Sequence, residues 1–240
     1  MQRDKVPGTN YIIVQDENNF KYTSDSLILS SFVKMGQRAL DLGCGNGIIS
    51  LIIVDRFKEL YAIDYNNESL ELFKIALKEN YLEDKIRLIQ DDILNLGNYF
   101  PNNYFDQILF NPPYFNCFEP KSNMEKARHS TDIRNFIEIV SKLLKSRGDF
   151  TIIFPSNRIS ELIYYLNLYK LKVKDMIAVK PNLEKPALHF ILRCRKDAKF
   201  GNFYREFIVH ESDYYSEQML KVYNNEVLLW YIFAQHPLAI

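Results

Sequence analysis

The sequence predicts an α/β fold, a mostly parallel sheet with helices on both faces. Three observations lead there. From residue 38 on, short apolar runs alternate with segments whose apolar residues recur at helical period. The runs are largely apolar rather than strictly alternating, as expected of strands covered on both faces. A turn holding Gly43, Gly45 and Gly47 joins the first run to the segment after it.

The elements follow in order. "RALDL" (38–42) reads as a strand, "GIISLIIVDRF" (47–57) as a helix and "LYAID" (60–64) as a strand. "NNESLELFKIALKENYL" (66–82) repeats Leu70, Phe73, Ala76 and Leu77 on one helical face. "KIRLIQDD" (85–92) and "FDQILF" (105–110) are strands. "TDIRNFIEIVSKLLKSRG" (131–148) reads as a helix, with Thr131 or Asp132 as N-cap and Gly148 past its end. "DFTIIF" (149–154) is a strand and "SNRISELIYYLNLYK" (156–170) a helix. "LKVKDMIAVKP" and "PALHFILRCRK" have no helix between them, which predicts an antiparallel pair at the sheet edge. The expectation is a seven-stranded sheet in a single domain. Residues 1–37 would form a hairpin and helix, 38–200 the core, and 201–240 a helical tail packed on it.

Composition sets limits. The chain has 240 residues, of which 47% are hydrophobic and 25% charged, as in ordinary globular domains. No apolar run is long enough for a membrane span, and the first residues lack the apolar stretch of a secretory signal. Three cysteines without a C-x-x-C pair point to reduced thiols in a cytosolic protein, without a disulfide frame or zinc site. His189, His210 and His236 show no ligand spacing, so no metal is expected. The zero net charge hides an asymmetry. Residues 1–120 carry 11 basic and 17 acidic side chains, residues 121–240 carry 19 and 13. The basic excess lies in 121–147 and 170–206, segments suited to meeting phosphates.

"ALDLGCGNGIISL" (39–51) carries the first chemistry. Glycines at a strand-to-helix turn let the backbone approach a ligand and take positive φ, and the helix start offers free N–H groups. The spacing is G-x-G-x-G, neither the dinucleotide G-x-G-x-x-G nor a P-loop. Asp41 precedes the turn. Asp64 closes the next strand, where an acid can accept from ribose hydroxyls. "QDDI" (90–93) ends the third, where Asp91 or Asp92 can take an adenine amino proton. Three acids at successive strand ends around one turn describe a nucleoside-binding crevice.

"QILFNPPYFNC" (107–117) carries the second. A conjugated exocyclic amine is a poor nucleophile, and acceptors holding its two N–H bonds favour the reactive pyramidal form. The Asn111 side-chain oxygen and the Pro112 carbonyl are two such acceptors. The Pro112-Pro113 pair fixes the backbone that aims the carbonyl. Tyr114 offers a face on which a flipped base can stack. No general base is required before attack.

These motifs resemble the class I S-adenosylmethionine methyltransferases, over roughly residues 38–195. The resemblance implies a Rossmann-like fold and S-adenosylmethionine as cofactor, with Gly43, Gly45, Asn46 and Gly47 close to it. Asp41 would lie near its methionine amine, Asp64 on the ribose, and Asp92 with Ile93 at the adenine, with Asp91 as the alternative acid. "NPPY" resembles the signature of amino-methyltransferases acting on adenine N6, cytosine N4 or glutamine amides. Beyond it, "FKYTSDSLILSSF", "ARHSTD" and "ESDYYSEQMLKVY" resemble the bacterial tRNA1(Val) adenine-37 N6-methyltransferase family. By that resemblance Ser24 and Asp25 would close over cofactor or base, and the partner is a tRNA. Arg128 and His129 would meet anticodon phosphates, with Arg193, Arg195 and Lys196 as a second contact. Three other readings are weighed: a glutamine N5-methyltransferase acting on release factors, a non-catalytic RNA-binding relative, and a nicotinamide dehydrogenase, which the glycine spacing disfavours. The oligomeric state, monomer or homodimer, is open.

Overall fold

The computed structural model describes residues 1–16, 22–112 and 133–228. Thr131 and Asp132, the expected helix caps, lie outside them. The chain opens with an antiparallel hairpin, β1 (Gln2–Lys5) and β2 (Ile12–Gln15), followed by helix α1 (Ser24–Ser31). Then come β3 (Gly36–Leu42), α2 (Ile48–Ile53), β4 (Phe57–Asp64), α3 (Asn67–Glu79), β5 (Ile86–Gln90) and β6 (Phe105–Phe110). After these lie α4 (Ile133–Leu143), β7 (Leu144–Pro155), α5 (Ile159–Leu168), β8 (Leu171–Lys180) and β9 (His189–Lys196). The tail supplies β10 (Phe203–Ile208), a small hairpin of β11 (His210–Glu211) and β12 (Tyr214–Tyr215), and α6 (Glu217–Tyr223).

The central sheet has eight strands in the order β10-β8-β9-β7-β6-β3-β4-β5. All pairings are parallel except those of β9, which is antiparallel to both β7 and β8. Strand order reverses between β3 and β6, so a crevice opens at the carboxyl ends of these strands. Side-chain alternation divides the core into two layers. Leu109 and Ile153 face the layer built with the hairpin, α1, α2, α3 and α6. Ile108, Phe110, Ile152 and Phe154 face the layer built with α4 and α5.

Three expectations need correction. The first predicted helix stops at Ile53, because Val54–Arg56 make a 3-10 turn and Phe57 already pairs with Gly36. The helix expected over 131–148 stops at Leu143. Leu144 pairs with Phe105, and the ladder then bulges past Arg147, whose φ is 68°, before Asp149 pairs with Gln107. The tail is not purely helical, since β10 adds an eighth strand parallel to β8.

Arg193 also departs from expectation. It was read as an RNA contact, but it is buried in the sheet. Its guanidinium is ion-paired to Asp175 on β8 and donates to Asp149 Oδ2 on β7 at 3.2 Å. Arg195 donates to both oxygens of Asp149, at 2.7 and 2.9 Å. A buried charge stays only where opposite charges and hydrogen bonds replace water. Asp175→Ala would leave the buried Arg193 only the 3.2 Å contact with Asp149, which Arg195 shares. The expected cost is about 3–5 kcal/mol of folding stability, read from urea unfolding; a loss below 1 kcal/mol would contradict the buried pairing.

Candidate active site

The carboxyl edge of the sheet is in register. Leu42 pairs with Ile63 on β4 and with Phe110 on β6, and Asp64 pairs with Gln90 on β5. The residues that follow these strands therefore form a row: Asn111, Gly43, Asp64, then Asp91 and Asp92. Strands lie about 4.8 Å apart, so the row spans roughly 14 Å, the scale of a nucleoside carrying a side chain.

The glycine turn forms the centre. Gly43, Gly45 and Gly47 have φ of 61°, 54° and 88°. A side chain at Gly47 would strike the Phe73 ring of α3 at 2.2 Å, so close helix packing excludes any other residue there. At Gly45 an added carbon would meet nothing within 4 Å, which leaves the backbone bare toward the crevice. Asp64 fastens this turn. Its Oδ2 accepts from the Gly45 N–H at 2.8 Å and its Oδ1 from the Asn66 N–H at 2.9 Å. Each carboxylate oxygen retains a second lone pair for a ligand hydroxyl. Asn46 is buried and donates through Nδ2 to the Val14 carbonyl, which ties the turn to the N-terminal hairpin.

Asp41 lies beneath the turn, fully buried. Its Oδ2 accepts from the Ser50 hydroxyl at 2.7 Å and the Ser50 N–H at 3.1 Å. Its Oδ1 is the one buried side-chain polar atom among the described residues without a partner. Burial pushes the carboxyl up from 3.8 to about 7, against the pull of the Ser50 hydrogen bonds.

At the far end of the row the two acids differ. Asp91 is the more occupied, with Oδ1 accepting from Asn95 Nδ2 and the Asp92 N–H, and Oδ2 from the Tyr99 hydroxyl at 2.6 Å. The Tyr99 hydrogen bond, with the other two, holds its carboxyl below the usual range. Asp92 caps the turn that starts at Ile93, accepting from the Leu94 N–H at 2.8 Å through Oδ1. Its Oδ2 has no protein partner among the described residues. More acceptor capacity thus remains on Asp92 than on Asp91.

At the near end, Asn111 is partly buried and donates from Nδ2 to Ser26 Oγ at 2.8 Å. Pro112 is buried. Asp25, next to Ser26 on α1, faces His189 of β9, with Oδ2 3.8 Å from Nδ1. Burial pushes the His189 imidazole down, and Asp25 opposes that shift. The sequence singles out His189 only as a histidine without ligand spacing, and does not single out Ser26. The signal for Ser26 was its place in "TSDS", beside the Asp25 that was singled out.

Pro113, Tyr114, Arg128 and His129 lie outside the described residues. Arg193, Arg195 and Lys196 are not part of this edge. β9 runs antiparallel, so its last residues descend toward the opposite end of the sheet, where Lys196 donates to Asn103 Oδ1 and the Leu144 carbonyl. Among the described residues, no group of three or more His, Cys, Asp or Glu is placed to hold a metal ion. No helix among them is long and apolar enough to cross a membrane.

The strand order, the glycine turn and the row of acids define a Rossmann-like fold of the methyltransferase class. The family model described as "Methyltransferase domain" matches residues 34–200, and the chain belongs to that family. A curated tRNA1(Val) (adenine(37)-N6)-methyltransferase of Vibrio campbellii is 23% identical over 214 residues, covering 86% of this chain and 88% of that protein. The protein of the same name from Vibrio parahaemolyticus is 24% identical, with 88% and 90% covered. One from Tolumonas auensis is 29% identical over 164 residues, covering 63% of this chain and 66% of that protein. Among solved structures, a predicted O-methyltransferase from Agrobacterium tumefaciens superposes with a TM-score of 0.69 at 16% identity. It covers 83% of this chain and 95% of that one. A geranyl diphosphate C-methyltransferase from Streptomyces coelicolor, solved with S-adenosyl-L-homocysteine, gives 0.57 at 11% identity, with 72% and 78% covered.

The Asp41 environment makes a pH prediction. A carboxyl whose pKa is raised by folding stabilises the fold fully below its unfolded value, here 3.8, and loses that contribution as pH rises to about 7. Asp41→Asn removes the titration. The variant's stability relative to the parent should therefore rise between pH 4 and pH 8, in urea unfolding at both. A difference that stays constant with pH would contradict the buried, strained carboxyl.

Proposed function

We propose that this chain is an S-adenosylmethionine-dependent methyltransferase acting on the exocyclic N6 of an adenine in tRNA. The nucleotide proposed is adenine 37, beside the anticodon of a valine tRNA, and the compartment is the cytoplasm. One observation carries the reading. The Leu42–Phe110 pairing sets the start of the Asn111-Pro112 segment beside Gly43, so the amine-holding residue and the glycine turn share one crevice.

The donors and acceptors fit the cofactor. The unpartnered Asp41 Oδ1 lies under the turn, complementary to a cationic methionine end. The open backbone at Gly45 admits the ligand. Asp64 retains lone pairs for the ribose hydroxyls, and Asp92 Oδ2 for the adenine amine. When bound, the cofactor supplies an electrophilic methyl group on a sulfonium. The protein's own share is positioning. Asn111 Oδ1 and the Pro112 carbonyl accept the two amine N–H bonds and draw the nitrogen lone pair out of conjugation with the ring. Tyr114 takes the flipped base on its ring. The proton lost from the methylated nitrogen would pass to water. The names of the relatives and the coverage of both chains favour tRNA adenine over a glutamine amide.

Labelled S-adenosylmethionine and bulk bacterial tRNA lacking this modification give the test, followed by nucleoside analysis. The expected product is N6-methyladenosine. Asn111→Ala should abolish transfer while keeping cofactor affinity, and Asp64→Ala should weaken that affinity by about 1–3 kcal/mol. No transfer to tRNA, with methylation of a release-factor glutamine instead, would overturn the substrate assignment.

A further inference from the structure

The amino end of β8 and the loop from β9 to β10 are rich in lysine. "KLKVK" (170–174) supplies Lys170, Lys172 and Lys174, and "KDAK" (196–199) supplies Lys196 and Lys199. The sheet brings the two segments together. Leu171 pairs with Lys196, and the Asp197 N–H donates to the Lys170 carbonyl at 3.0 Å. Within these segments five lysines stand against one acid, Asp197. Asp175, the next acid along β8, is buried and ion-paired to Arg193. Elsewhere lysines sit on carboxylates: Lys142 on Glu138, Lys145 on Asp106 and Lys180 on Glu206. Among the described residues, none of the five does. Three of them are held by neutral oxygens instead. Lys172 Nζ donates to the Asn167 carbonyl at 3.2 Å, Lys174 Nζ to the Gly201 carbonyl at 2.6 Å, and Lys196 Nζ to the Leu144 carbonyl at 2.7 Å. A carbonyl fixes an ammonium in place and leaves its charge uncancelled.

Two rings lie among these charges. Phe200 is 76% exposed and Phe203 43%. Lys172 Nζ lies 4.1 Å from the centre of the Phe200 ring, and the Arg205 guanidinium carbon 5.5 Å from that of Phe203. An exposed phenylalanine forgoes the roughly 1.5–3 kcal/mol that burial would contribute. Rings interleaved with uncancelled cations suit RNA, which offers phosphates to the lysines and flat bases to the rings.

We propose that this end of the sheet is a second docking surface for the tRNA substrate. The lysines meet backbone phosphates, and Phe200 and Phe203 pack on nucleotides. The inference rests on the tRNA reading given above, and deepens it. The surface is remote from the chemistry. Lys172 lies eight residues before Lys180, which ends β8 at the carboxyl edge. At about 3.3 Å per residue that is roughly 26 Å. β8 is three strands from β6, roughly 14 Å more to the side. A ligand touching both Asn111 and Lys172 spans on the order of 30 Å. A folded tRNA reaches that far, and a single nucleotide does not. The surface therefore acts on binding and leaves the methyl transfer itself alone.

The test uses the double variant Lys170→Ala/Lys199→Ala and the single variant Phe200→Ala in the full chain. All three side chains are exposed, and neither lysine Nζ donates a hydrogen bond among the described residues, so the fold should hold. The double variant should raise the KM for full-length tRNA on the order of 10-fold and lower the salt slope of tRNA binding by about 1 to 2. Phe200→Ala should raise KM on the order of 10-fold, as the loss of one stacked base does. The kcat at saturating tRNA and the affinity for S-adenosylmethionine should stay within about twofold. A short RNA hairpin carrying the anticodon loop alone should be methylated equally by parent and variants, because it cannot span the distance. Unchanged KM and salt slope on full-length tRNA would overturn the proposal. So would an equal loss on the hairpin, since the defect would then lie at the crevice or in the fold. Phosphatidylserine vesicles give the other arm: vesicle binding that the variants lose while their KM for tRNA matches the parent would make this a lipid-facing surface and overturn the RNA assignment. A parent that methylates tRNA while the variants match it removes this surface alone. A parent that methylates no tRNA removes the substrate reading, and this surface with it.

Discussion

The register of three parallel strands governs this molecule. Leu42 of β3 is paired with Ile63 on one side and Phe110 on the other. Side chains alternate faces along a strand, so a one-residue slip would turn Leu42 or Phe110 out of its layer and expose the opposite set. Core packing therefore fixes the level at which each strand ends. Because the ends are level, Asn111, Gly43 and Asp64 emerge side by side. The carboxyl of Asp64 then ties the Gly45 N–H to the start of the following helix through the Asn66 N–H, so turn and strand move as one body. The site is a consequence of how the core packs, not a separate structure laid on it.

The two ends of the described chain support that edge from behind. The Asn46 side chain donates to the Val14 carbonyl of the hairpin. Arg56 is half-buried, and desolvation lowers its pKa to about 10. It donates to the Ser30 carbonyl of α1 at 2.6 Å and hydrogen-bonds the Asn225 side chain near the end of the described residues. The Leu228 N–H donates to the Ser31 carbonyl at 2.9 Å. Gly8 lies so close to Asn224 and Asn225 that a side chain there would meet their backbone at 2.5 Å. The opening hairpin, α1 and the tail thus form one cover over α2. This cover brings Ser26 of α1 within hydrogen-bond distance of Asn111, the residue after β6.

Much of this was legible in the sequence where local physics decides. "FDQILF" is one strand with the same bounds, because its apolar end, Ile108 to Phe110, runs into Asn111 and two prolines. The glycine turn was legible because positive φ selects glycine. Asp92 is preferred over Asp91 from its place before Ile93; the folding back of Tyr99 and Asn95 onto Asp91 is a tertiary contact that the sequence does not display. Arg193 and Arg195 read as surface charge because their partners, Asp149 and Asp175, come from other strands. β10 escaped notice because "FYREFI" is an edge strand, half exposed and mixed in polarity, whose partner β8 is parallel and distant in sequence. The Ser26 contact with Asn111 escaped for the same reason, since its partner lies 85 residues away.

A crystal structure of the chain with S-adenosyl-L-homocysteine would test the central claim most directly. The account predicts the ribose hydroxyls on Asp64, the adenine amine on Asp92 Oδ2, and the sulfur at the Gly43 end of the row, facing Asn111. A ligand whose ribose lies away from Asp64, or whose sulfur points away from Asn111, would contradict it.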